Sequence, residues 1–135
     1  MSTVLFVCRA NAGRSQMSEA LFVQAAGGRH RALSAGSEAD PSGRVYPTVV
    51  EAMREVGVDL SERVPQPLTR ELAEQADVVV TMGCGDACPY IPGKRYLDWD
   101  LADPKGRPLD AVREVRDEIA RRVGLLLEAL DQDTP

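Results

Sequence analysis

The sequence predicts one α/β domain, a parallel β-sheet with helices packed against it. Short apolar runs of strand length, rich in branched residues, alternate with longer segments whose apolar residues recur at helical spacing. No internal repeat, low-complexity tract or linker breaks the alternation, so residues 1–135 are read as a single domain. Right-handed crossovers are expected between parallel neighbours.

The elements follow in chain order. "TVLFVC", Thr3 to Cys8, is a continuous apolar run, which suits a strand covered on both faces. "RSQMSEALFVQAAGG" reads as a helix with Met17, Ala20 and Leu21 on one face, closed by Gly27 and Gly28. "HRALSAGS" is a second short strand, and residues 37–46, with Asp40-Pro41 and Gly43, form a loop. "YPTVVEAMREVGVDLS" gives a helix with Pro47 in its first turn, Val50, Met53 and Val56 on one face, and Gly57 as its stop. Thr69 is a fitting N-cap for the short helix "LTRELAEQA". "DVVVTMG" is the third strand, and "KRYLDWDL" holds a fourth. From Leu109 onward, Val112, Val115, Ile119, Val123, Leu126 and Leu130 form the core-facing stripe of a terminal helix.

Composition narrows the function. At 44% apolar and 27% charged residues the chain is ordinary for a globular domain, so disorder is not expected. A formal charge of −5 argues against nucleic acid or an anionic membrane as partner, so any anion site must be a local device. There is no run long enough to span a bilayer and no secretory signal pattern, so the expected compartment is the cytoplasm, where thiols stay reduced unless catalytic. An odd count of three cysteines fits no static disulfide framework. The protein is expected to be a monomer.

The informative stretch is "CRANAGRS", Cys8 to Ser15. In an open α/β sheet, ligands bind outside the carboxyl ends of the strands, which is where Cys8 falls. Asn11 and Gly13 tolerate positive φ, so Arg9, Ala10, Asn11, Ala12 and Gly13 can curl with their N–H groups turned inward. Such a nest at a helix N-terminus binds a tetrahedral oxyanion, and Arg14 can add a two-pronged hydrogen bond. The same positive field favours the thiolate of Cys8, and Ser15 is placed to donate a hydrogen bond to it. The plain alternative is a buried structural cysteine ending a strand, and Arg14-Ser15 argue against it.

"CRANAGRSQMSEALF" resembles the catalytic loop of the low-molecular-weight protein tyrosine phosphatase superfamily, and more closely that of the arsenate reductases built on the same fold. "SAG", "GVDLS", "ADVVVTMGC" and "LADP" fall in the family's order, so the resemblance spans essentially the whole chain. It implies a flavodoxin-like four-stranded parallel sheet in a three-layer α/β/α sandwich, with Cys8 as nucleophile, Arg14 as oxyanion clamp and Asp103 of "LADP" as acid. Two positions depart from the family's loop. Ala10 stands where glycine is usual, and Gly13 where a second cysteine often precedes the arginine.

Arsenate and phosphate are near-isosteric, so the steps after attack separate a reductase from a phosphatase. A phosphatase needs an acid for the leaving phenolate and then water. A reductase needs a second thiol to attack Cys8 sulfur. "TMGCGDACP" offers Cys84, at the same sheet edge as Cys8, and Cys88, with Gly83 and Gly85 lending Cys84 freedom to move. In this relay Cys84 displaces arsenite, Cys88 attacks Cys84, and thioredoxin reduces the resulting disulfide. As zinc ligands the pair is incomplete, since His30 is the lone histidine. The gap between the two cysteines is shorter than thioredoxin-coupled members usually have. "TMGCGDACP" with "PGKRYLDWDLADP" resembles the actinobacterial type, which implies mycothiol and a mycoredoxin instead. Both donors stay open here.

Lys105-Gly106 follows Asp103-Pro104 where the phosphatases usually place an aromatic, and Tyr90, Tyr96 and Trp99 all precede that loop, so no aromatic platform is expected. A phosphatase of the same fold and a non-catalytic redox sensor built on the Cys8 thiolate are the competing readings. In some arsenate reductases of this fold, positions matching Asn11, Glu19, Ser34 and Asp59 hold a potassium ion beneath the loop. The alternative is that Asn11 braces the loop and the others make simple polar contacts. Arg9 is expected at the pocket mouth, Lys94-Arg95 as a surface basic spot, and Arg121-Arg122 as complements to the terminal helix dipole.

Overall fold

A computed structural model describes residues 1–83 and 92–132. Four parallel strands, β1 (Thr3–Cys8), β2 (Arg31–Gly36), β3 (Val78–Thr81) and β4 (Arg95–Asp98), form one sheet in the order β2-β1-β3-β4. The connections carry α1 (Arg14–Ala26), α2 (Pro47–Arg54) and α3 (Arg70–Glu74), and α4 (Leu109–Gln132) follows the last strand. Because β2 and β3 flank β1 on opposite sides, the chain leaves β1 at the sheet's switch point. Cys8 is the last residue of that strand, in register with Gly36.

Alternation along β1 builds two cores. Val4, Phe6 and Cys8 face α1, α2 and α4, with Met17, Phe22, Met53 and Ile119 among the buried partners. Leu5 and Val7 face the other way, onto Ala35, Val79, Ala73 of the short α3 and Ala76 just after it. The sandwich is therefore three-layered and uneven, with most of its helix on one face. All six residues of the predicted α4 stripe are buried. Among the described residues no helix is long and apolar enough to cross a membrane.

Local chemistry sets the helix ends. Thr69 Oγ1 accepts the Leu72 N–H at 3.1 Å, as its N-cap reading requires. The α2 face differs from expectation: Val49, Ala52 and Met53 are buried, and Val50 only half so. The helix stops at Arg54, short of Val56, because Gly57 at φ +85 turns the chain away. Arg121 and Arg122 do not serve the α4 terminus. The helix runs on to Gln132, and both guanidiniums pair instead with Glu118 at 2.7 and 2.6 Å. Lys94 is likewise engaged, its Nζ donating to the Glu74 carbonyl at the end of α3.

Glu55 fastens α2 to α4. Its carboxylate accepts from Arg113 Nη2 at 2.6 Å and Arg116 Nη1 at 2.7 Å, and Arg116 also donates to the Ala52 carbonyl. Hydrogen bonds from Arg113, then Arg116, hold its carboxyl at about 2 against an ordinary 4.5. A carboxylate held low contributes stability above its unfolded-state value and loses it as the pH falls. Glu55→Gln should therefore lower the melting temperature at neutral pH, and the deficit should close between pH 4.5 and about 2. Thermal melts of both proteins across that window test this, and a deficit that persists at the acid end would contradict it.

Candidate active site

The loop between β1 and α1 is shaped by Asn11. Its φ of +53 is a left-handed conformation that asparagine tolerates better than most residues, and the side chain is fully buried. Asn11 Oδ1 accepts Gln16 Nε2 at 3.0 Å and the Gln66 N–H at 2.8 Å, while Nδ2 donates to Ser15 Oγ at 2.6 Å. Gln66 also donates to the Ser34 carbonyl, which ties the loop to β2. Asn11 is the brace of the loop, and its backbone N–H points at Cys8 Sγ, 3.3 Å away.

Cys8 is buried, with Ser15 Oγ 2.9 Å from its sulfur. The Asn11 amide already occupies an acceptor position on that hydroxyl, so the Ser15 proton is free to point at sulfur. This is an arrangement that stabilises a thiolate. Gly13 is the N-cap of α1 and no side chain caps the helix, so its first N–H groups are left for a ligand at the pocket.

Arg14 is buried although charged. Its Nη1 donates to the Leu101 carbonyl at 3.4 Å, and Nη2 lies 3.6 Å from Asp103 Oδ2. Asp103 Oδ1 accepts the Lys105 N–H at 3.0 Å, which turns the acid loop back toward the guanidinium. Gly83, at φ +85, has a reason other than mobility: a Cβ there would run into the Arg14 guanidinium. Gly13 is equally constrained. A Cβ there would sit 2.7 Å from Pro104 Cγ and 3.4 Å from the Tyr46 ring, so the cysteine that often fills this position would push the acid loop away.

Cys8, Arg9, Ala10, Gly13, Arg14, Tyr46, Asp103 and Lys105 line a cavity of about 200 Å³. The fold thus brings together Cys8, Arg14, Ser15, Asp103 and the predicted loop. Ala12 is buried beneath it, and exposed Arg9 stands at the mouth, 3.4 Å from Glu38. Cys84 and Cys88 lie outside the described residues. The expectation that the pocket has no aromatic is corrected. Trp99 packs in the core against Phe6 and Tyr96 lines the opposite core, but Tyr46 stands in the pocket wall. The sequence held one signal for it. A helix that follows the second strand must begin at the same sheet edge as Cys8, and Tyr46 is its N-cap.

The family model of the low molecular weight phosphotyrosine protein phosphatases matches residues 3–135. The chain belongs to the low molecular weight phosphotyrosine protein phosphatase family. Within it, the chain is 37% identical over 130 residues to a glutaredoxin arsenate reductase of Synechocystis sp., covering 94% of this chain and 97% of that protein. The thioredoxin-dependent arsenate reductase of Corynebacterium glutamicum superposes with a TM-score of 0.85 at 40% identity, over 99% of this chain. This chain spans 64% of the length of that one. An arsenate reductase in a phosphate-binding state superposes with a TM-score of 0.83 at 35% identity, covering 96% of this chain and 98% of that one. The family's sheet edge is where Cys8, Arg14 and Asp103 converge.

The potassium expectation meets a different set of contacts. Asn11 Oδ1 is doubly hydrogen-bonded, the Ser34 carbonyl accepts from Gln66, and Asp59 caps the Ser61 N–H at 2.9 Å. Glu19, whose side chain is 15% exposed, faces the Arg63 guanidinium. Gln16 Oε1 and Glu19 Oε2, both buried without a hydrogen-bond donor among the described residues, could take a water or a cation. Arg63 lies against Glu19 and competes with any cation for its charge.

Ser15→Ala removes the donor to the Cys8 sulfur. Hydrogen bonds to charged groups contribute about 1.5–3 kcal/mol, so alkylation of Cys8 by iodoacetamide at neutral pH should slow by about tenfold or more. Site-resolved mass spectrometry reads this directly, and an unchanged rate would remove Ser15 from the thiolate's support.

Proposed function

We propose that this chain reduces arsenate to arsenite. The observation that carries the reading is a buried Cys8 thiol, hydrogen-bonded by Ser15 and the Asn11 N–H, at a 200 Å³ cavity also lined by Arg14 and Asp103. That volume suits a small tetrahedral anion, and the arsenate reductases among its relatives support arsenate as that anion.

Cys8 Sγ attacks arsenic, and one arsenate oxygen departs as water with a proton from Asp103, leaving a sulfur–arsenic bond. The Cys84 thiolate attacks Cys8 Sγ. The electron pair of the sulfur–arsenic bond passes to arsenic, which falls from the pentavalent to the trivalent state, and a Cys8–Cys84 disulfide forms. Cys88 attacks Cys84 and frees Cys8, and an external dithiol delivers two electrons to the Cys84–Cys88 disulfide. A thioredoxin- or glutaredoxin-type protein fits as that donor, given the relatives' reductants. A mycothiol/mycoredoxin pair is the other arm of the assay. A reducing compartment such as the cytoplasm suits three transiently reactive thiols. The attack step is shared with phosphomonoester hydrolysis, in which water replaces Cys84, so slow phosphatase activity accompanies this reading.

Arsenite release should be measured with thioredoxin and its reductase, and separately with mycothiol and mycoredoxin. Wild type should turn over in at least one system, Cys8→Ser in neither. In the thioredoxin system Cys84→Ser and Cys88→Ser should stall after one turnover or less. No wild-type turnover in either system would sink the reductase reading, and full turnover by Cys84→Ser would retire the relay.

Beneath the loop, Arg63 supplies the positive charge that the resemblance assigns to potassium. Turnover should be equal in potassium and sodium chloride of the same ionic strength, whereas Arg63→Gln should lower it and make it rise with potassium. A potassium requirement in the wild type would reverse this assignment.

A further inference from the structure

We propose that Tyr46 is a substrate-contacting residue, its phenol hydroxyl donating a hydrogen bond to the oxyanion held at Cys8. The inference rests on the oxyanion-site reading above and adds a residue to it. Among the eight described residues that line the cavity, Tyr46 alone brings an uncharged hydroxyl. The others are the nucleophile, the acid, three cations, an alanine and a glycine. A tetrahedral anion seated on the loop N–H groups and Arg14 turns its remaining oxygen toward the mouth, where Arg9 and Lys105 are exposed to solvent. A half-buried phenol is the donor that loses least water in reaching that oxygen.

Tyr46 is also held to the loop it would serve. Its N–H donates to the Ala12 carbonyl at 3.0 Å, and its ring flanks Gly13. Pro47 behind it restricts its backbone to the extended conformation observed, φ −58 and ψ 137. Position and direction are thus set by the anion loop itself. Burial, with Asp103 and Cys8 nearby, raises the phenol above its ordinary 10.0 while Arg14 opposes, so the hydroxyl keeps its proton and acts as a donor.

The test uses the full, reduced chain and follows alkylation of Cys8 by iodoacetamide, resolved by mass spectrometry, against rising inorganic phosphate. Phosphate should protect the wild type. Tyr46→Phe should weaken that protection by about five- to tenfold, with the alkylation rate in the absence of phosphate and the melting temperature unchanged. Tyr46→Leu should weaken protection no further than about twofold beyond Tyr46→Phe. Equal protection of Tyr46→Phe and wild type overturns the inference, as does a loss seen only in Tyr46→Leu, which would assign the effect to the ring. Absence of protection in the wild type would overturn the oxyanion site as well. Protection that is present but indifferent to the hydroxyl overturns this inference alone.

Discussion

The buried amide of Asn11 is the contact on which the rest of the site depends. One side chain receives Gln16 and Gln66, reaches Ser15, and holds its own backbone in a left-handed turn that aims an N–H at Cys8. Without those bonds the turn would have no compensation for its φ, and an unpaired amide would be left in the interior. The loop from Cys8 to Arg14 is therefore built as a hydrogen-bonded unit attached to α1, β2 and the 64–68 segment. The pocket is set by that unit and its neighbours.

Polar burial of this kind explains why α1 is the least regular helix to read. Arg14, Ser15, Gln16 and Ser18 are all buried in its first turns, alongside Met17. These are positions that an amphipathic pattern would assign to solvent. Each has a specific partner: Leu101 for Arg14, Cys8 for Ser15, the Arg14 carbonyl for Ser18, and Asn11 for the Nε2 of Gln16, whose Oε1 has no donor among the described residues. The far helix, α4, has no such duty and keeps a regular apolar stripe. A regular period marks an element that only packs, and a disturbed one marks an element that also holds the loop.

Arg14 links the two halves of the pocket. It is attached to the anion loop by sequence and to the acid loop through Leu101 and Asp103. Its burial requires Gly83 on one side, and the approach of Pro104 to the loop requires Gly13 on the other. Two glycines that look permissive in the sequence are fixed by steric contact, Gly83 with Arg14 and Gly13 with Pro104 and Tyr46.

The sequence by itself determined the strands, the helices and the place of "CRANAGRS" at a strand-to-helix junction. Apolar period and strand-to-helix chemistry are local properties, and Cys8, Arg14 and Ser15 lie within seven residues of one another. What only the tertiary structure decided involves partners far apart in the chain. Tyr46 enters the pocket because the helix after β2 begins beside Ala12, thirty-four positions earlier in sequence. Glu19 meets Arg63 rather than remaining an open carboxylate, and Asp103 meets Arg14 across the sheet edge. Packing brings such residues together through the whole fold, and no spacing in the chain records it.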